Sequence, residues 1–296
     1  MIRLGFDVGG TNIKAGLFDA EMNYLSKKIS PFPKELGHHS IVGKMYEISR
    51  AMLGENGMTE KDVAAIGIAS AGEIDPVDGV IVRAHNLDFY NVPMRTEMEK
   101  FYPGVLIKLI NDAAAATLAE HGKGALLGCK NAILIALGTE IGGGMIIDGK
   151  LYRGGLSHGV ELGHMTLSME GPMCTCGNRG CIEAFCSATW LKNKGQPAGY
   201  TDAKAVIDAA KNNEPAAVKI FDEYVGNLST AIASLANLLD PEIVALGGGV
   251  SLAGDFLFEP LREKVKIKSF FRYPYKIVPA RLGNDAGTIG AAVNTV

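Results

Sequence analysis

Short apolar runs bounded by Gly, Asp and Pro punctuate this chain, and longer stretches with helical spacing lie between them. The runs at 2–8 (IRLGFDV), 13–18 (IKAGLF), 63–70 (VAAIGIAS), 80–84 (VIVRA) and 105–111 (VLIKLIN) predict strands. A second set follows at 131–138 (NAILIALG), 143–149 (GGMIIDG), 242–248 (EIVALGG) and 275–282 (YKIVPARL). The strongest helical signal spans 215–239. There Val218, Phe221, Val225, Leu228, Ile232, Leu235 and Leu239 recur at three- and four-residue steps. Further helices are expected near 40–54, 113–121, 202–212 and 286–294. Strands and helices mixed along the whole length predict an α/β protein.

The order of these segments repeats. GFDVGGTNIKAGLFD at 5–19 reads as strand, Gly-rich turn, strand, and LIALGTEIGGGMIIDG at 134–149 reads the same way. Each half also holds an Asn-Asp-Ala step, INDAAAA at 110–116 and GNDAGTIGAA at 283–292. At each step a strand is expected to hand over to a helix capped by its Asp. The echo predicts two similar domains facing one another across a cleft.

Composition narrows the class. The 296 residues are 47% hydrophobic and 21% charged, with a net charge of −3 and both signs well mixed. That suits a globular protein of two domains and offers no polyanion-binding face, so no nucleic-acid partner is expected. No eighteen-residue apolar run predicts a membrane span, and MIRLGFDVGG has no apolar signal core. A cytoplasmic location, where thiols stay reduced, is expected.

The glycine-rich turns suggest phosphate chemistry. In DVGGTN, Gly9 and Gly10 free the backbone to point several N–H groups into one concavity, and Thr11 adds a hydroxyl beside Asn12. Asp7 would repel a polyphosphate unless a bridging Mg²⁺ intervenes, and Lys14 offers further positive charge. For a lone Gly-Gly pair a plain hairpin turn is the simpler reading. Here GTEIGGG supplies a second loop, with Gly138, Thr139, Gly142 and Gly143. Neither loop has the Gly-Lys-Ser/Thr of a P-loop. A third glycine cluster, Gly247 to Gly249, follows a strand and would let an adenosine lie against backbone.

Asp112 follows the strand at 105–111. A helix N-cap is the ordinary role of an Asp there; the alternative is the general base that phosphoryl transfer to an alcohol requires, with Asn111 orienting the alcohol. His164, Cys174, Cys176 and Cys181 form a His-x9-Cys-x-Cys-x4-Cys pattern. Three thiolates and one imidazole suit a closed, structural Zn²⁺ site; buried thiols or an iron–sulfur cluster are the alternatives. Gly177 and Gly180 allow the tight turn that brings Cys181 round. Glu161 and Glu183 flank the pattern, and such carboxylate pairs suit vicinal sugar hydroxyls, although exposed surface glutamates are the plainer reading. Cys129 and Cys186 read as packing residues.

Taken together, DVGGTNIKAG, NDAAAATLAEH, LGTEIGGG, GVELGH and CTCGNRGCIEAFCS resemble the ROK family of repressors, open reading frames and kinases, from Asp7 to the C-terminal NDAGTIGAA. The resemblance implies an actin-like ATPase fold of the ribonuclease-H-like type. Residues 1–112 with 286–296 would form the smaller α/β domain, and 113–285 the larger, bearing the second phosphate loop, the zinc motif and the adenosine site. It further implies ATP- and Mg²⁺-dependent phosphorylation of a hexose, foremost glucose at its 6-hydroxyl, by a homodimer. Other sugars in range are N-acetylmannosamine, allose, mannose, fructose and a β-glucoside. Asp112 would be the base, and the loops at 7–14 and 138–144 would hold phosphate. Gly72, Asn86, Asn111, Asp112, Glu161, His164 and Glu183 would form the sugar site. The chain departs from the family pattern at Ala71, Phe89, Glu140 and Val160, where Pro, Trp, Gly and Gly are usual. Repressors of the family carry an N-terminal helix-turn-helix, for which the seven residues up to Asp7 leave no room, so a regulator without DNA-binding domain is the lesser expectation.

Overall fold

The computed structural model describes residues 1–32, 37–84, 87–155, 159–271 and 275–296. They form two compact units, one of residues 1–123, 153–159 and 284–296, the other of 124–152 and 160–283.

The first unit opens with β1 (Ile2–Val8), β2 (Asn12–Phe18), β3 (Tyr24–Pro31), α1 (Gly37–Glu55) and β4 (Val63–Ser70). A small meander of β5 (Glu73–Asp75), β6 (Val80–Ala84) and β7 (Phe89–Val92) follows, then α2 (Met94–Glu99), β8 (Leu106–Asn111) and α3 (Asp112–Lys123). The main sheet has the order β3-β2-β1-β4-β8, antiparallel among the first three strands and parallel from β1 to β8. Leu4, Phe6, Ile66 and Ile68 bury one face against Ile41, Met45 and Met52 of α1. β3 was not expected from the sequence. Its residues alternate between half-buried and exposed with none fully buried, as a solvated edge strand does, and Lys27 and Lys28 blunt the edge.

The second unit contains β9 (Ala132–Leu137), β10 (Ile141–Ile147), β11 (Lys150–Leu151), α4 (Glu183–Cys186), α5 (Ala188–Gly195), α6 (Ala203–Lys211), α7 (Pro215–Leu239), β12 (Ile243–Gly247), α8 (Asp255–Lys268) and β13 (Lys276–Pro279). Its sheet runs β11-β10-β9-β12-β13, the same sequence of strand roles as the first. The internal echo therefore extends to topology. α7 starts at Pro215, whose fixed φ suits the first helical position, and ends where Asp240 turns left-handed at φ 44°. Phe221, Val225, Leu228, Ile232 and Leu235 pack on Ile133, Ile135, Val244 and Leu246. Val218 departs from the expected apolar stripe and is 41% exposed, because in the first turn the core-facing position is taken by Ala217, which is fully buried. α8 carries Pro260 in its interior, which argues against a helix when only the sequence is read.

The chain ends in α9 (Ala286–Val293), which returns to the first unit. α9 packs against β1, β4 and α3. That packing places 113–123 in the first unit, whereas the sequence reading assigned them to the second domain. The approach is close enough that a Cβ on Gly67 of β4 would lie 1.7 Å from the Ala291 carbonyl oxygen. Gly67→Ala is expected to destabilise the protein by about 3 kcal/mol, seen as a lower midpoint in urea melts. Among the described residues, no helix is long and apolar enough to cross a membrane.

Candidate active site

In the first unit the candidate residues meet at one sheet edge. The parallel register aligns Val8 with Ser70 and Ser70 with Asn111, so the carboxyl ends of β1, β4 and β8 lie side by side. The Asp7–Asn12 hairpin, the Gly72 turn and the Asn111–Asp112 step all emerge there. In open α/β sheets, ligands bind outside this end of the strands.

Asp7 and Lys14 are cross-strand partners, and Lys14 Nζ lies 3.0 Å from Asp7 Oδ2. The sequence reading offered Lys14 as free positive charge for phosphate; here its ammonium is paired with Asp7. The Asp7 carboxyl packs against Gly287 at the start of α9, where a Cβ would sit 2.6 Å from Asp7 Cγ. The hairpin closes through Gly9 N–H donating to the Asn12 carbonyl at 3.0 Å, and Asn12 Nδ2 donates to Thr11 Oγ1 at 3.0 Å. Thr11 is exposed at the tip, and Gly10 beside it is half-buried.

The cap of α3 differs from expectation. Asn111, not Asp112, makes the capping pair: its Oδ1 accepts from the backbone N–H groups of Ala113 (2.9 Å) and Ala114 (3.1 Å). Asn111 Nδ2 donates to the Gly72 carbonyl at 3.2 Å and ties the β4–β5 turn to the helix start. Asp112 Oδ1 accepts from the adjacent Ala113 N–H at 2.8 Å. Asp285 makes no side-chain cap either; Lys27 Nζ donates to it at 3.0 Å. Asn86 lies outside the described residues.

In the second unit, the turn after β9 is shorter than the sequence implied. Gly138, Thr139 and Glu140 form it, with Gly138 N–H donating to the Glu140 carbonyl at 3.1 Å. Gly142 and Gly143 are not loop residues: they pair with Ala136 and Ile135 inside β10. Gly143 serves close packing, since a Cβ there would lie 2.5 Å from the Leu134 carbonyl oxygen. Gly247 ends β12, in parallel register with Ala136, and Gly248 lies against the backbone of Leu137. The third glycine cluster therefore borders the 138–140 turn at the carboxyl ends of β9 and β12.

His164, Cys174, Cys176 and Cys181 converge as their spacing predicted, with all four ligand atoms within 4.8 Å of one another. His164 closes a 3-10 turn at Leu162–His164. Gly177 and Gly180, at φ 91° and 72°, hold the left-handed turns that bring Cys181 back. Cys176 Sγ and Cys181 Sγ are 3.7 Å apart, as are Cys174 Sγ and His164 Nδ1. A tetrahedral ion with bonds of about 2.0–2.3 Å requires ligand edges of roughly 3.3–3.8 Å, and the two 3.7 Å separations fit one. Burial pushes the Cys174 thiol up to about 12, while the Asn178 backbone N–H holds Cys176 below the usual thiol range. Cys129 and Cys186 are buried, and burial raises both thiols.

The two flanking glutamates differ from each other. Glu161 is exposed and its carbonyl accepts from His164 N–H at 3.1 Å. Glu183 is only 6% exposed. Its Oε1 accepts from Thr175 Oγ1 at 2.8 Å and from the Cys174 thiol at 3.3 Å, and its Oε2 from Ile141 N–H at 3.2 Å. The expected pair of open, sugar-facing carboxylates is thus one exposed group and one buried tie. Thr189 and Gly287 were not singled out from the sequence, because each acts on a partner far away along the chain; nor was Thr175, which bonds Glu183 nearby in the chain.

The family model for ROK matches residues 3–294. The chain belongs to the ROK family. Among ROK relatives, the glucokinase of Thermotoga maritima is 36% identical, over 98% of this chain and 95% of its own. The structure of the ROK hexokinase from Thermus thermophilus superposes with a TM-score of 0.89 at 34% identity, covering 99% of this chain and 97% of that one. A ROK glucokinase from Streptomyces griseus, solved with glucose and AMPPNP, matches with a TM-score of 0.81 at 31% identity, covering 99% and 98%. The ROK kinase fold is that of the actin-like ATPases.

Proposed function

We propose that this ROK protein is an ATP-dependent hexose kinase that transfers the γ-phosphoryl group to the 6-hydroxyl of glucose. The observation that carries the reading is the gathering of Asp7, Thr11, Asn111 and Asp112 at the carboxyl edge of one sheet, in a chain with glucokinase relatives.

Asp112 accepts the proton of the attacking hydroxyl on its carboxylate. Asn111 holds the start of α3 and so holds Asp112. Mg²⁺, when bound, offsets the charge of the transferring phosphate. Asp7 is the carboxylate that would face that ion, directly or through water, and its pairing with Lys14 keeps it oriented. Gly9, Gly10, Thr11 and Asn12 supply hairpin donors for phosphate, and Gly138 and Thr139 the backbone of a second phosphate turn. Gly247 and Gly248 leave room for the adenosine. Gly72, Asn86, Glu161 and His164 complete the sugar contacts, and Glu183 acts behind them as a buried tie.

Zn²⁺, when bound by His164, Cys174, Cys176 and Cys181, supplies a structural cross-link with no open position for chemistry. Thiols retained as ligands need a reducing compartment, which supports a cytoplasmic location. Exposed Leu238, Ile267 and Phe270 support a homodimer that covers them. The substrates are a sugar and ATP, with no nucleic acid.

The test is an ADP-release assay over glucose, mannose, N-acetylmannosamine, allose, fructose and a β-glucoside. Glucose is expected to give the highest kcat/KM. A higher value for another sugar reassigns the substrate, and no sugar-dependent ADP release removes the kinase reading.

A further inference from the structure

The peptide that follows the last cysteine ligand grips the 138–141 turn at three points. Ala188 N–H donates to the Gly138 carbonyl at 2.8 Å, Thr189 Oγ1 to the Thr139 carbonyl at 2.7 Å, and Glu183 Oε2 accepts from Ile141 N–H at 3.2 Å. The brace is itself fixed. Ser187 Oγ caps α5 by accepting from Trp190 N–H at 3.1 Å, and the buried Tyr224 hydroxyl donates to the Cys186 carbonyl at 2.8 Å. Glu183 also reaches the cysteine loop through Thr175 and Cys174.

The consequence follows from peptide geometry. In a planar trans peptide the C=O of one residue and the N–H of the next point in opposite directions, and the described chain has no cis bond. With the carbonyls of Gly138 and Thr139 drawn to the brace, the N–H groups of Thr139 and Glu140 face the other way. Both residues are exposed. Two successive outward N–H groups make an anion-binding nest. Glu140, where the family pattern has Gly, contributes here through its backbone.

We infer that the Cys181–Thr189 segment is a brace that sets the nucleotide-phosphate nest at Thr139 and Glu140, with Thr189 a positioning residue for ATP, and that the bound metal holds this brace in place. The inference rests on the proposed phosphate role of the 138–140 turn and deepens it. The metal motif, placed by its sequence beside the sugar residues, thereby also governs the nucleotide side of the reaction.

The test uses the full chain, with AMPPNP as probe, calorimetry for affinity and amide hydrogen exchange for the turn. In the wild type, AMPPNP is expected to slow exchange of the 138–141 amides; no slowing removes the phosphate role of the turn itself and the brace with it. Thr189→Val is expected to weaken AMPPNP binding about fivefold, with metal content and glucose affinity unchanged, and Thr189→Ser to restore it to within about twofold. Chelator treatment is expected to speed exchange at 138–141 about tenfold or more while β9 amides at 132–137 stay protected. If AMPPNP protects the turn but Thr189→Val and metal removal alter neither affinity nor exchange there, the brace is overturned and the phosphate role stands. An equal loss of glucose affinity in Thr189→Val also overturns it.

Discussion

Asp112→Asn is expected to lower kcat about a thousandfold or more while glucose affinity stays within about twofold. Asparagine matches the shape of aspartate and keeps an oxygen for the Ala113 N–H. What it lacks is a lone pair basic enough to take the hydroxyl proton. The fold is insulated from the change because the cap of α3 belongs to Asn111. The thermal midpoint of the variant should therefore match the parent. Asn111→Ala gives the opposite separation in stability: it removes two accepted N–H bonds and the tie to Gly72, and is expected to cost about 1–2 kcal/mol. Single-turnover kinetics with calorimetric glucose binding checks the first variant, and near-normal turnover in Asp112→Asn would remove it as the base.

The second large effect is expected at Cys176. Of the three cysteine ligands it alone is exposed; Cys174 and Cys181 are buried. Cys176→Ser therefore removes a ligand with little loss of packing, and its effects report the metal. The variant is expected to lose its equivalent of zinc by elemental analysis and about 3 kcal/mol of stability, lowering the thermal midpoint by roughly 6–12 °C. Glucose affinity should fall about tenfold, because His164 and the Thr175–Glu183 contact both depend on the loop's closure. Unchanged glucose affinity with the metal absent would uncouple the knot from the sugar residues.

Much of the candidate site was legible because its signals are local. The cysteine and histidine spacing needed only two tight turns to converge, and Gly177 and Gly180 announced them. The hairpin at Asp7–Asn12 was equally plain, since a Gly-Gly pair between two apolar runs leaves few other conformations. The same local habit of reading misassigned Asp112 as the cap, although Asn111 stood beside it with an equal claim. It also counted Gly142 and Gly143 as loop, when the pleat carries them into β10 beside Ala136 and Ile135.

By itself the sequence determined the apolar strands at the centre of both sheets, the long α7, the repeated order of elements and the four residues that converge in the His/Cys cluster. Each of these follows from periodicity or spacing within a few turns of chain. Only the tertiary structure decided that Glu183 is buried as a tie to Ile141 and that the Thr189 hydroxyl bonds the Thr139 carbonyl. A hydroxyl or a carboxylate takes its role from the group across from it, and here that group is set by packing between segments distant in the chain.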